Sequence, residues 1–179
     1  HLLRYRSHAI LISYKTLNTD NPRLNCRLNS LEQYSPARVI LDKNLDLKTN
    51  TFVIKTAKKT PTYIFYNKNN FKKINYLKKC GAKLIFLKLK NNNFKAIDIL
   101  KKLYNENLFY LLIEGGQNLT QDFLNNNVFN EFFHFKSSKI LKKNGIIKLS
   151  NFDKKIKNKF KNFEKVKTYT GDDKVLRYY

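Results

Sequence analysis

The 179-residue chain contains no methionine and no tryptophan, and only five glycines, three prolines and two cysteines. Each shortage closes off a class of protein. Cys26 and Cys80 stand apart, and His1, His8 and His134 are equally isolated, with no Cys-x-x-Cys or His-x-Glu beside any of them. That spacing argues against a zinc site or a disulfide framework and predicts two reduced, structural thiols and no bound metal. No apolar stretch approaches the roughly 18 residues that a membrane span requires, and no signal-peptide pattern is present, so the expectation is a cytoplasmic protein without membrane contact. The few glycines form no G-x-G-x-x-G fingerprint, which leaves a Rossmann assignment without support. The lack of methionine and a histidine at position one read as a segment of a longer product.

Acidic residues are also scarce. Thirteen stand against 36 basic ones, for a net charge of +23. Such a balance ordinarily suggests nucleic acid or an anionic surface as partner. Here lysine is over-supplied together with Asn, Ile, Phe and Tyr, the set that AT-rich codons encode, and the lysines run from Lys15 to Lys174 through every kind of segment. A dedicated binding stripe would concentrate them on one element, so no specific nucleic-acid partner is expected.

What is present is an alternation of short β-rich apolar runs with helical patterns, the mark of an α/β sheet in one domain spanning residues 1–179. Strands are expected at residues 8–13, 38–42, 51–55, 62–66, 83–88, 109–113, 131–136, 163–170 and 174–178. Helices are expected where apolar residues recur on one face: Phe71, Ile74 and Leu77; Phe94, Ile97, Leu100 and Tyr104; Leu119 and Phe123. Thr170-Gly171-Asp172 between two β-prone runs predicts a hairpin, since Gly and Asp tolerate positive φ. The sheet is therefore expected to be mixed, parallel first and antiparallel at the end. Residues 144–162, rich in Lys and Asn, read as a loop with a short helix.

Two segments can carry chemistry. In Thr16-Leu-Asn-Thr-Asp-Asn-Pro-Arg-Leu-Asn-Cys-Arg27 a loop at a strand end gathers a hydroxyl, a carboxylate and two guanidinium groups, which suits a small anionic ligand. Thr16 can donate to a phosphate or carbonyl oxygen, and Asp20 can orient a ribose hydroxyl or a carboxamide. At least one of Arg4, Arg23 and Arg27 is a credible phosphate clamp, with Arg23 better read as solvent-exposed. Leu24, alternating between the two loop arginines, points into a pocket wall or the core. In the second segment, residues 111–119, a strand runs into Glu114, then Gly115 and Gly116, then a helix. Glycines there let a ligand approach the backbone, and the helix start attracts phosphate oxygens. Glu114 can accept hydrogen bonds from a heterocycle, or else the glycines simply turn the chain and Glu114 pairs with a surface lysine.

Taken in order, Leu3-Arg-Tyr-Arg-Ser-His-Ala-Ile-Leu11, Thr16, Asp20-Asn-Pro-Arg-Leu24, Arg27, Arg38-Val-Ile-Leu-Asp42, Glu114-Gly-Gly116 and Gly171-Asp-Asp173 resemble the reductase domain of the bifunctional riboflavin-biosynthesis deaminase/reductase along essentially the whole chain. The resemblance implies a dihydrofolate-reductase-like fold, with a mostly parallel sheet, flanking helices and a C-terminal antiparallel hairpin. It also implies NADPH-dependent reduction of 5-amino-6-(5-phosphoribosylamino)uracil to its ribitylamino product, by a homodimer. Arg4, Leu24, Arg27 and Glu114 would contact substrate. Thr16, Asp20, Gly115, Gly116, Gln117, Asn118 and Leu119 would hold NADPH, and Lys43 would meet its 2′-phosphate. No nucleophile is required, and Asp20 is a candidate proton source. Ser13 stands where many members have glycine. The same resemblance places the family's first strand and a zinc deaminase domain ahead of His1, so the segment alone is expected to lack part of its site walls and to be impaired. Relatives that reduce the non-deaminated pyrimidine or another substrate define the neighbouring alternative. A basic RNA-binding module or an inactive paralogue is the alternative of another class.

Overall fold

The computed structural model describes residues 1–138, 152–167 and 172–179, with backbone alone for 152–154. The chain packs as two compact units, His1–Asp122 and Phe123–Tyr179.

The first unit is built on five parallel strands, β1 (Ala9–Ser13), β2 (Ala37–Leu41), β3 (Thr62–Tyr66), β4 (Lys83–Phe86) and β5 (Leu111–Ile113), in the order β4-β3-β2-β1-β5. The central strands read Ala-Ile-Leu-Ile and Ala-Arg-Val-Ile without polar alternation, and all eight of those residues are buried. A parallel sheet covered on both faces imposes that pattern. Ile10, Ile12, Ile40 and Ile64 form a core with Leu17, Leu24, Leu47, Val53, Ile54, Ile74 and Leu77. Each such side chain stabilises the fold by about 1.5–3 kcal/mol on leaving water.

Short helices join the strands: α1 (Leu2–Tyr5) before β1, α2 (Tyr14–Asp20) directly after it, α3 (Phe52–Lys55), α4 (Phe71–Lys79), α5 (Ala96–Tyr104) and α6 (Gln117–Asn125). Three expectations are corrected here. Residues 16–20 lie on a helix, not in a loop. Ser13 caps it, its Oγ accepting from the Thr16 N–H at 3.3 Å, and buried Leu17 anchors it. Residues 51–55 form a helical turn rather than a strand, because the Asn21 side-chain oxygen accepts the Phe52 N–H at 2.8 Å. That cap comes from 31 positions away and overrides the β propensity of the Phe-Val-Ile run. On α5 the buried face is Ala96, Ile99 and Leu103, while Ile97 and Tyr104 are exposed. Two stripes at helical spacing overlap in that segment, and the one led by the small residue packs inward. Phe71 at the start of α4 is likewise exposed, whereas Ile74 and Leu77 are buried.

The second unit carries β6 (Phe132–Lys136), β7 (Phe163–Val166) and β8 (Lys174–Tyr178), with α7 (Phe152–Lys159) between β6 and β7. Both strand pairs are antiparallel, in the order β6-β8-β7. The parallel strands thus precede the antiparallel ones as expected, but the antiparallel strands pair among themselves as a sheet of their own. Leu124, Ile156, Phe160 and Tyr178 form its core. The turn residues Thr170 and Gly171, and residues 144–151 of the expected loop, lie outside the described residues.

Candidate functional site

From β1 the chain moves outward through β2, β3 and β4, and then returns to place β5 on the other side of β1. The strand order therefore reverses between β1 and β5. In an open parallel sheet the crevice outside the carboxyl ends of two such strands is where ligands bind. Both chemistry-bearing segments leave the sheet at that point. Leu11 pairs with Ile113, and the Glu114 N–H donates to the Leu11 carbonyl at 3.1 Å before the chain turns away.

On the β1 side, Ser13 Oγ and Thr16 Oγ1 lie 3.2 Å apart. Thr16 and Asp20 are four residues apart on α2, so both look out from one helical face. Beyond the helix the backbone is strained, with Asn21 at φ 42° and Leu24 at φ 55°. Asn tolerates the left-handed region, whereas for Leu it costs about 1–2 kcal/mol. Leu24 is 2% exposed and belongs to the core.

On the β5 side, Glu114 is gripped by Arg4. Nε donates to Oε1 and Nη2 to Oε2, both at 2.8 Å, a bidentate pair whose side chains are 17% and 35% exposed. The carboxylate holds the guanidinium above its ordinary pKa. A third donor, Nη1 of Arg4, reaches the Asn25 carbonyl at 3.1 Å, and Arg27 Nη1 reaches Asn25 Oδ1 at 3.3 Å. Arg4, Asn25, Arg27 and Glu114 are thereby one cluster. Glu114 pairs with an arginine, not with a surface lysine. Asn25 escaped the sequence reading because its main contribution is a backbone carbonyl, which no side-chain pattern announces.

The two glycines differ. A Cβ on Gly115 would meet Leu119 Cδ2 at 2.8 Å and Leu119 Cβ at 2.9 Å, so Gly115 is required by helix packing. A Cβ on Gly116 would meet nothing within 4 Å. Open space therefore lies where α6 begins, and the first amides of a helix have no intrahelical partners. Gln117, Asn118 and Leu119 form that first turn.

Lys43 follows β2, whose Leu41 pairs with Ser13, so it stands on the same edge of the sheet. Its ammonium donates to Asn92 O at 2.9 Å and Asn92 Oδ1 at 3.1 Å, both at the surface. Asp42 is structural, accepting the Asp46 and Leu47 amides at 2.9 and 2.7 Å. Arg23 is exposed and lies over the Phe52 ring, 5.4 Å from its centroid. Among the described residues no cluster of His, Cys, Asp and Glu could hold a metal ion, and no helix is long and apolar enough to cross a membrane.

The family model for the RibD C-terminal domain matches residues 1–175, across both units. The chain belongs to the RibD C-terminal domain family. It is 30% identical over 144 residues to the riboflavin biosynthesis protein RibD of Aquifex aeolicus, a match that covers 79% of this chain and 38% of that protein. Acinetobacter baumannii RibD superposes with a TM-score of 0.72 at 18% identity, over 99% of this chain and 48% of that one. The diaminohydroxyphosphoribosylaminopyrimidine deaminase/5-amino-6-(5-phosphoribosylamino)uracil reductase of Thermotoga maritima does so with a TM-score of 0.68 at 22% identity, over 99% and 46%. The chain thus spans less than half the length of these relatives. The two superpositions establish the shared fold.

Proposed function

We propose that residues 1–179 act as one NADPH-dependent reductase domain that converts 5-amino-6-(5-phosphoribosylamino)uracil to its ribitylamino product. The observation that carries this reading is the Arg4–Glu114 pair with Asn25 and Arg27, set at the same strand-end crevice as Thr16 and the open start of α6. Two anionic ligands need two adjoining polar walls, and the crevice between β1 and β5 has them.

The division of labour follows from the chemistry of each wall. Glu114, fixed by two guanidinium N–H groups, keeps lone pairs free to accept from ring N–H groups of a pyrimidine. Arg27, exposed and tied only at 3.3 Å, is free to turn onto the substrate phosphate. The space over Gly116 and the amides of Gln117, Asn118 and Leu119 suit the cofactor pyrophosphate. Thr16 and Asp20 offer a hydroxyl and a carboxylate to its ribose or carboxamide. Lys43 reaches a 2′-phosphate by releasing two surface hydrogen bonds to Asn92, an exchange of low cost that favours NADPH over NADH. When bound, the reduced nicotinamide supplies the hydride that C1′ gains as its bond to the ring oxygen breaks. The departing oxygen takes its proton from water, directly or through a relay. The protein's part is orientation and charge placement.

The reading is tested by following NADPH oxidation at 340 nm with the deaminated and the non-deaminated pyrimidine, using the chain within its complete translation product. Turnover with the deaminated compound is expected. NADPH binding without turnover of that compound rejects the substrate assignment, and turnover of the amino form alone moves the protein to the neighbouring alternative.

A further inference from the structure

In the second unit, Lys159 near the end of α7 has its ammonium buried against aromatic rings, 3.7 Å from the Phe129 centroid and 5.5 Å from that of Phe160. Among the described residues its Nζ has no hydrogen-bond partner. The aromatic faces attract the cation but leave N–H donors unused, and a desolvated ammonium without an acceptor is costly. The same lysine lines an open cavity of about 550 Å³ with Lys155, Asn158, Asn125, Asn127 and Leu124. Among the described residues no carboxylate lines that cavity. Lys155, one helical turn before Lys159, adds a second positive charge on the same face, where like charges four apart repel. Lys155 Nζ donates to Asn125 Oδ1 at 3.0 Å, which leaves donors to spare.

We propose that this cavity is a binding site for the phosphate group of a small molecule, held between Lys155 and Lys159 with the Asn125, Asn127 and Asn158 side chains beside it. An oxyanion supplies what each feature lacks: an acceptor for the buried Lys159 ammonium and a charge that turns the repulsion between the lysines into shared attraction. Burial against the rings pulls the Lys159 amine below its ordinary pKa, and a bound anion reverses that. The abundance of lysine in the chain does not explain the arrangement, because composition places lysines in water, not under a phenyl ring. The site lies within residues 124–159 and stands independently of the reductase reading.

The test is calorimetric titration of the intact protein with inorganic phosphate against sodium chloride of equal ionic strength, repeated for Lys155→Met and Lys159→Met. Saturable phosphate binding is expected, weakened at least tenfold by either substitution, with thermal stabilisation by NADPH unchanged in both variants. Absence of saturable binding at matched ionic strength overturns the proposal, as does equal affinity in Lys155→Met. Lys155 is exposed, so its replacement reports on the site even where Lys159→Met disturbs the core.

Discussion

Two arginines at opposite ends of the parallel strands are held in contrasting ways. Arg38, at the start of β2, is 1% exposed and meets only neutral oxygens. It donates to Thr62 Oγ1 at 3.1 Å, Thr56 Oγ1 at 2.7 Å, Thr56 O at 3.1 Å and Thr60 O at 3.0 Å. Burial pulls its pKa down to about 10, so it stays charged at neutral pH, and its hydrogen-bonding capacity is nearly spent on stapling β2 to the turn before β3. Arg4, beside the carboxyl end of β5, instead grips one carboxylate that remains a third exposed. One end is finished and serves stability. The other is charged and partly open to solvent, and it is the one we assign to ligand binding.

The contrast breaks most visibly at Arg38. Arg38→Met deprives two carbonyls and two threonine hydroxyls of that donor, and is expected to cost about 3–5 kcal/mol in denaturant unfolding. An unchanged midpoint would mean that this end is not the structural one. Glu114→Gln should do the reverse. Stability should change by less than about 1 kcal/mol, because the pair is partly solvated, while kcat/KM should fall roughly 100-fold as bidentate pairing is lost.

The glycines sharpen the same comparison at finer scale. Gly115→Ala is expected to cost about 1–3 kcal/mol through its clash with Leu119, and Leu119→Ala in the same chain should recover part of that loss in a double-mutant cycle. Gly116→Val should fold normally yet bind NADPH about tenfold more weakly, since its side chain enters only the space assigned to ligand. Equal effects at both glycines would erase the distinction between packing and site.

The smallest effect concerns Asp42. Burial raises its carboxyl above the ordinary 3.8, against the pull of the Asp46 and Leu47 amides. A carboxyl that holds its proton more tightly when folded contributes stability in full below 3.8 and loses it as pH rises through the raised native value. The stability difference between wild type and Asp42→Asn should therefore shrink with rising pH in that window.

The parallel strands were legible because both faces of a covered sheet demand unbroken apolar runs, as in Ala9-Ile-Leu-Ile12. The turn from strand to helix at Glu114-Gly-Gly was legible from its two glycines, although sequence could not say that Leu119 needs the first glycine and open space surrounds the second. The turn at residues 52–55 was not legible, since its cap is Asn21, and neither was Asn25, which serves through its carbonyl. Both depend on tertiary partners more than 20 residues away. The helical position of Thr16 and Asp20 is hidden behind Asn and Pro residues that read as loop, while the deciding cap, Ser13, stands out in the sequence only as a departure from the family pattern.

The central claim is that the crevice between β1 and β5 is the reductase site, with the cofactor against Thr16, Asp20 and the start of α6. Amide hydrogen exchange of the intact protein with and without saturating NADPH tests it most directly. Slowed exchange concentrated in residues 13–20 and 115–119 is the expected result. Unchanged exchange in both segments, with protection elsewhere, would contradict it.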